Sequence, residues 1–300
     1  MIGVPTSAGA FAPGQEQAPS ALRAAGLLDR LRSAGLEVTD RGDRDRFRWR
    51  PDRDHPRAQN ASAVAGIVRD TARRVGEAAA TGERVLVLGG DCTVGIGAIA
   101  GQRDAGGSVG VVYFDAHADL NTPDSVHEGA LDWMGMAHVL GEGGAVPEVA
   151  QAVGEPPLVE PNQVVLLGWD ARQSTAHERA AIERLSLAVV PAEEVQADPA
   201  AAAGRALAAV APRADRVVVH FDVDVVDFTD TPLSENWGRN EGVSYDAALS
   251  ALATLCASPA VCGLTVTELN PDHVEEGADS LERLAVDIAA ALGVRTEASP

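Results

Sequence analysis

Asp115, His117 and Asp119 occupy alternate positions in the segment Phe114-Asp115-Ala116-His117-Ala118-Asp119, and Asp222 and Asp224 do so in Phe221-Asp222-Val223-Asp224. Together they offer four carboxylates and one imidazole. Carboxylates crowded at one point repel strongly unless cations sit between them. Oxygen donors combined with an imidazole suit Mn²⁺, and also Fe²⁺, Co²⁺ or Zn²⁺. A donor set this large can bridge two ions about 3.5–4 Å apart, the geometry of two-metal hydrolysis. A single Asp-x-Asp more often closes a turn or caps a helix. Two such segments weigh against that plainer reading, because buried unpaired charge is so costly.

Each segment follows a β-branched apolar run, Val109 to Tyr113 in one case and Val217 to Val219 in the other. Such runs read as buried strands of a parallel sheet. A strand has period two, so Asp115, His117 and Asp119 are expected to face one way, as are Asp222 and Asp224. A third run, Val85 to Leu88, leads into Gly89-Gly90-Asp91-Cys92-Thr93. Its glycines let the backbone bend sharply and bring the next side chains close to a site, although alone it is an ordinary strand-to-helix turn. Alanine-rich helical stretches alternate with the apolar runs: Ala61 to Ala80, Ala176 to Arg184, Ala200 to Ala211, Asp246 to Cys256 and Ser280 to Leu292. Strand then helix, repeated, predicts a three-layer α/β/α fold with a central parallel sheet. Ligands of such sheets gather at the carboxyl ends of the strands, where all three motifs sit. Asp40 to His55, rich in Arg and Asp, reads as a solvated connection, and Thr296 to Pro300 as a frayed tail.

Taken together, these motifs resemble the arginase (ureohydrolase) superfamily, which hydrolyses guanidino groups at a two-manganese centre. The resemblance runs nearly the full length, from Gly3-Val4-Pro5 and Pro13-Gly14-Gln15-Glu16-Gln17-Ala18-Pro19, through Gly89-Gly90-Asp91, Asp115-Ala116-His117-Ala118-Asp119-Leu120-Asn121-Thr122-Pro123 and Asp222-Val223-Asp224, to Thr267-Glu268-Leu269-Asn270-Pro271. It implies a single arginase-like catalytic domain over residues 1–300. It implies that Asp115 and Asp222 bridge two Mn²⁺ ions, that Asp119 completes one site, and that His117 and Asp224 complete the other. Glu268 matches the family carboxylate that pairs with the substrate guanidinium, a pairing whose planar geometry is bidentate. Asn121 matches a position that holds the α-amino-acid end of arginine. Asp119 is then placed to pass a proton to the leaving nitrogen. L-arginine is the first candidate substrate and Nω-hydroxyarginine the next, giving urea or a substituted urea and an amine such as ornithine. Superfamily members are commonly trimers or hexamers, so a homo-oligomer is expected.

Departures from the family pattern bear on the chemistry. The family carries a histidine after Gly-Gly-Asp as a terminal ligand of the first metal, where this chain has Cys92. A thiolate is a softer donor than Mn²⁺ prefers, and a thiol that stays protonated donates little, so this metal position is expected to be weak or empty. Cysteine also stands there in the Nω-hydroxyarginine hydrolase of D-cycloserine biosynthesis, a superfamily member. The family's proton-shuttling histidine aligns with Asp132 when residues are counted without gaps from Asp119. Asp132 can relay protons if burial raises its pKa, and His127 can do so if the loop folds differently. The stretch from Asp227 to Gly242 reads as a long active-site loop, with Trp237 and Arg239 as candidate substrate contacts against a plainer role in loop packing. Two other readings share the motifs: a metal-dependent deacetylase on the same fold, which Glu268 disfavours, and a pseudoenzyme with a binding role, which Cys92 and Asp132 favour.

A net charge of −20 excludes nucleic acid as a partner, since nothing would neutralise phosphates. All 24 basic residues are arginines, which rules out Schiff-base and P-loop lysines. No apolar run spans a membrane and no leader is expected. Three cysteines fit a reducing cytoplasm.

Overall fold

The apolar runs form the strands β1 (Ile2–Gly3), β2 (Val85–Leu88), β3 (Val109–Phe114), β4 (Val164–Trp169), β5 (Ala188–Pro191), β6 (Arg216–Asp222) and β7 (Val261–Thr267). In the computed structural model, which describes residues 1–236, 238–275 and 279–293, they make one seven-stranded sheet in the order β1-β2-β7-β6-β3-β4-β5. Every neighbouring pair is parallel. Trp237 and the Thr296–Pro300 tail lie outside the described residues.

Side chains alternate across a pleated sheet, so each strand feeds two cores. Leu86, Leu88, Val112, Phe114, Val217, Val219 and Phe221 pack on one face with the helices Ala18–Ala24, Leu27–Ser33, Pro199–Val210, Tyr245–Ala257 and Ser280–Gly293. Val85, Val87, Val109, Val111, Tyr113 and Leu166 pack on the other, under the helices Ala61–Ala79, Val94–Asp104 and Gly135–Leu140. Burial on both faces is why these strands read as continuous apolar runs rather than alternating ones. The expected three-layer α/β/α fold is therefore present. Side chains cap helix starts: Thr175 and Glu178 form a capping box at Ala176–Leu185, and Ser244 accepts from the amide of Ala247 at Tyr245–Ala257.

Segment 40–55 is partly exposed, yet it is more than a tether. Asp43 and Phe47 pair beside Gly3 and Thr6, covering the outer edge next to β1. Its Arg46 and Arg48 lie 3.1 Å and 2.6 Å from the buried carboxylate of Glu16. That contact pins the Gly14–Gln17 turn, which supplies one wall of the site described below.

β2, β7, β6 and β3 are consecutive in the sheet, so their carboxyl ends at Leu88, Thr267, Asp222 and Phe114 lie side by side. This adjacency gathers motifs that are far apart in sequence.

Candidate metal centre and substrate cavity

The first acidic motif converges by a turn, which corrects the expectation from strand period. β3 ends at Phe114, and residues 115–119 have left the sheet. The same local device operates at three strand ends. Asp115 Oδ1 accepts from the amide of His117 at 2.6 Å, Asp222 Oδ1 from that of Asp224 at 2.7 Å, and Asp91 Oδ1 from that of Thr93 at 3.1 Å. An aspartate that bonds the amide two residues on bends the chain over its own carboxylate. The second residue of each motif is thereby folded back toward the first.

Two groups of donor atoms result. Asp115, His117 and Asp224 form one, with ligand atoms all within 4.8 Å of one another; Cys92, Asp115, His220 and Asp222 form the other. Asp115 belongs to both, as a bridging ligand must. Asp115 Oδ2 and Asp224 Oδ1 are buried with no hydrogen-bond partner. Such atoms carry a full desolvation cost unless something outside the protein satisfies them. Burial and the neighbouring Asp224 push the Asp115 carboxyl up to about 7. Asp119 and Asp222 are also raised well above the usual carboxylate range, by burial and then by adjacent carboxylates. Burial works against the charged form of His117, but Asp224 and Asp115 outweigh it and raise its pKa. Cations would satisfy such a cluster, and the donors fit a binuclear metal centre.

His220 was not foreseen. Period two could have revealed it, because it precedes Asp222 by two positions on β6 and so shares its face. Asp119 belongs to neither donor group. Its carboxylate accepts from the Tyr113 hydroxyl, and its backbone is left-handed at φ 49°. Glu268 is left-handed too, at φ 61°. Each such residue costs roughly 1–3 kcal/mol and persists only where its surroundings impose it. Both side chains line the same cavity.

Cys92 is buried, and its Sγ donates to Asp222 Oδ2 at 2.8 Å. Burial and Asp222 push its thiol well up. The Cys92 amide donates to Glu268 Oε1 at 2.8 Å, while Gln15 Nε2 donates to Glu268 Oε2 at 3.1 Å. Both carboxylate oxygens of Glu268 are thus oriented from opposite sides. Gly90 makes the approach possible, since a Cβ there would stand 1.7 Å from the Thr6 carbonyl oxygen.

The cavity over this centre has a volume of about 450 Å³. Asp119, Asp132, Glu178, Asp222, Asp224, Glu235, Glu241 and Glu268 line it. Arg172, whose guanidinium is held by Asp170, and His117 are the basic residues of that lining. A cavity of this sign selects cations. Asn121 Oδ1 accepts from Thr175 Oγ1 at 2.8 Å and from Ser125 Oγ at 3.0 Å, leaving its amide NH₂ as the free donor. Asn236, from the long loop, sets its amide 3.3 Å from both His117 Nε2 and Asp224 Oδ2. Phe11 and Trp133 pair at 5.9 Å on the apolar side of the cavity. Asp132 is buried in the wall, and burial followed by Glu268 and Asp91 raises its carboxyl well above normal. His127 instead sits on an exposed turn against Arg57, away from the lining, and Arg239 lies over the Phe228 ring.

A family-level match to the Arginase family spans residues 1–293. The chain belongs to the arginase family. It is similar to the arginase of Brevibacillus brevis, 31% identical over 275 residues with 90% of each chain covered. It is 29% identical to the arginase of Bacillus caldovelox over 277 residues, again with 90% of each covered. The native structure of that Bacillus caldovelox enzyme superposes with a TM-score of 0.85 at 27% identity, covering 97% of each chain. Family membership makes this chain a metal-binding hydrolase of the ureohydrolase class. Among the described residues, no helix is long and apolar enough to cross a membrane.

Proposed function

We propose that this hydrolase cleaves the guanidino group of an amino acid, L-arginine or its Nω-hydroxy derivative, to urea or a substituted urea and an amine such as ornithine. The orientation of Glu268 carries the reading: two fixed carboxylate oxygens beside a cluster of metal donors match a planar guanidinium. Asp115, His117, Asp222, Asp224 and Cys92 would hold two ions, with Asp119, outside both donor groups but lining the same cavity, completing the set and Mn²⁺ the expected metal. At such a centre a bound water would have its pKa lowered to near neutrality and would serve as the nucleophile. Glu268 turns the guanidinium carbon toward that end of the cavity. The free amide of Asn121 suits the substrate's α-carboxylate. Asp119, held by Tyr113, accepts a proton and returns it to the departing nitrogen. The family resemblance supports a trimer or hexamer, and three unpaired cysteines support a cytoplasmic location.

The test is urea release by the Mn²⁺-loaded protein from L-arginine, Nω-hydroxyarginine, agmatine, guanidinobutyrate and guanidinopropionate, with bound metal measured on the same sample. Turnover confined to the two α-amino acids, with about two ions bound per chain, is expected. Urea from agmatine, guanidinobutyrate or guanidinopropionate instead, or from none of the five, would sink the reading.

Asp132 is the proposed proton relay. Asp132→Asn should lower kcat on the order of 10²-fold with little change in KM, the size of a general acid–base contribution. The kcat–pH profile should lose one limb. A variant with reduced thermal stability but an unchanged profile would make Asp132 a wall residue instead.

A further inference from the structure

We propose that His220 supplies the imidazole of the first metal position, delivered from strand β6 in place of the turn residue where this chain has Cys92. The inference rests on the two-metal reading above. His220 Nε2 lies 3.3 Å from Cys92 Sγ, inside the donor group that also contains Asp115 and Asp222. Neighbouring ligands of one ion are separated by such distances, given metal–nitrogen bonds near 2.0–2.1 Å and metal–sulfur bonds near 2.3 Å. Asp115 Oδ2, in the same group, is buried and unpartnered.

The surroundings hold this ring in one orientation. It stacks on Tyr113 with centroids 4.4 Å apart and planes 3° from parallel. On its other edge is Gly95, where a Cβ would come within 2.6 Å of Nδ1. A glycine is therefore required for the ring to occupy this place. Nδ1 has no hydrogen-bond partner, and in the tautomer protonated there the Nε2 lone pair faces the donor group. Thr267 Oγ1, 3.1 Å from Nε2, is the competing partner, and through it the ring would be merely structural.

Positions 92 and 220 trade volume. A thiol at 92 leaves room for an imidazole from β6, whereas imidazoles at both would compete for one space. The exchange also softens the site. Thiolate plus imidazole favours Zn²⁺, Fe²⁺ or Co²⁺ over Mn²⁺ at this position more than an all-oxygen set would.

Cobalt(II) titration of the metal-stripped full chain tests this without a substrate, read by bound-metal analysis and by paramagnetically shifted proton NMR in H₂O and D₂O. Two ions per chain and two shifted, exchangeable imidazole N–H signals are expected, one from His117 and one from His220. His220→Gln should lose one signal and bind its second ion roughly tenfold or more weakly. Cys92→His alone should crowd the site and bind fewer than two ions. Cys92→His combined with His220→Ser should restore both ions and both signals, which separates a lost ligand from a damaged fold. Two ions with a single imidazole signal in the unmodified chain would overturn the assignment while leaving the two-metal reading intact. One ion or none would overturn both.

Discussion

Glu268→Gln is expected to cut kcat/KM for the guanidino substrate about a thousandfold, equivalent to roughly 4 kcal/mol, without loss of the fold. The variant is nearly isosteric, so the Cys92 amide keeps an oxygen to donate to. Gln15 would then face an NH₂ where it now donates to Oε2. Gln15 can turn over, because its own Oε1 is a buried atom with no partner and becomes an acceptor for the new amide. What disappears is charge. A guanidinium in a low-dielectric cavity loses its charge-assisted, bidentate partner, and a neutral amide cannot replace it. Burial and Asp91 already hold the Glu268 carboxyl well above its normal range, so removing an acid from this crowd does not destabilise the metal-free protein. Urea-release kinetics and a thermal melt check both halves. Turnover within tenfold of the unmodified enzyme would remove Glu268 from the substrate site.

The metal donors were legible in the sequence because their spacing is local. Asp115 with His117, and Asp222 with Asp224, are each two positions apart, and each motif follows a run of β-branched residues. The sheet was legible for the same reason: strands buried on both faces leave a continuous apolar signature. What the spacing misled on was the device. Alternation in a strand and an aspartate-closed turn both bring residue two steps on to the same side, and the sequence alone does not separate them. β1 has only two residues and β5 is partly exposed, so neither left a run long enough to read.

The partners of Glu268 were less legible. Gln15 lies 253 positions from it, and the two meet across the run β1-β2-β7, Gln15 following β1 and Glu268 following β7. His220 was hidden by a different effect. Between Val219 and Phe221 it sits in an apolar strand, where a histidine reads as a tolerated core residue. Burial does pull its pKa down to about 3, as for any such residue. Its closeness to Cys92 is long-range geometry, 128 positions apart. The loop carrying Asn236 left no periodic signal at all, since loops are shaped by the site they cover.

Asp115→Asn should bring urea release down to the level of the metal-free protein and reduce bound metal from two ions to at most one, because Asp115 is the residue common to both donor groups. The metal-free variant should nevertheless be more stable than the metal-free parent at pH 8. The sign follows from the carboxyl, which titrates near 3.8 when the chain is unfolded and is pushed to about 7 in the fold by burial and Asp224. Between those values the folded state binds the extra proton. Its stabilising contribution is fully present below about pH 4 and is lost as pH rises through 7. One proton changes stability by about 1.4 kcal/mol per pH unit in that window, so from pH 5.5 to 7 the metal-free parent loses roughly 2 kcal/mol. For a chain of this size that is about 3 °C in Tm. The asparagine variant lacks this proton, so its Tm should fall less over the same range, with Asp119 and Asp222 accounting for the remainder. Divalent ions should reverse the parent's trend, since they bind the ionised carboxylates and gain affinity as pH rises. Thermal melts of both proteins at pH 5.5, 7 and 8, stripped and metal-loaded, decide the matter. A metal-free parent whose Tm is flat or rises with pH would mean that the carboxylates are not crowded enough to need cations, and the metal centre would lose its main physical support.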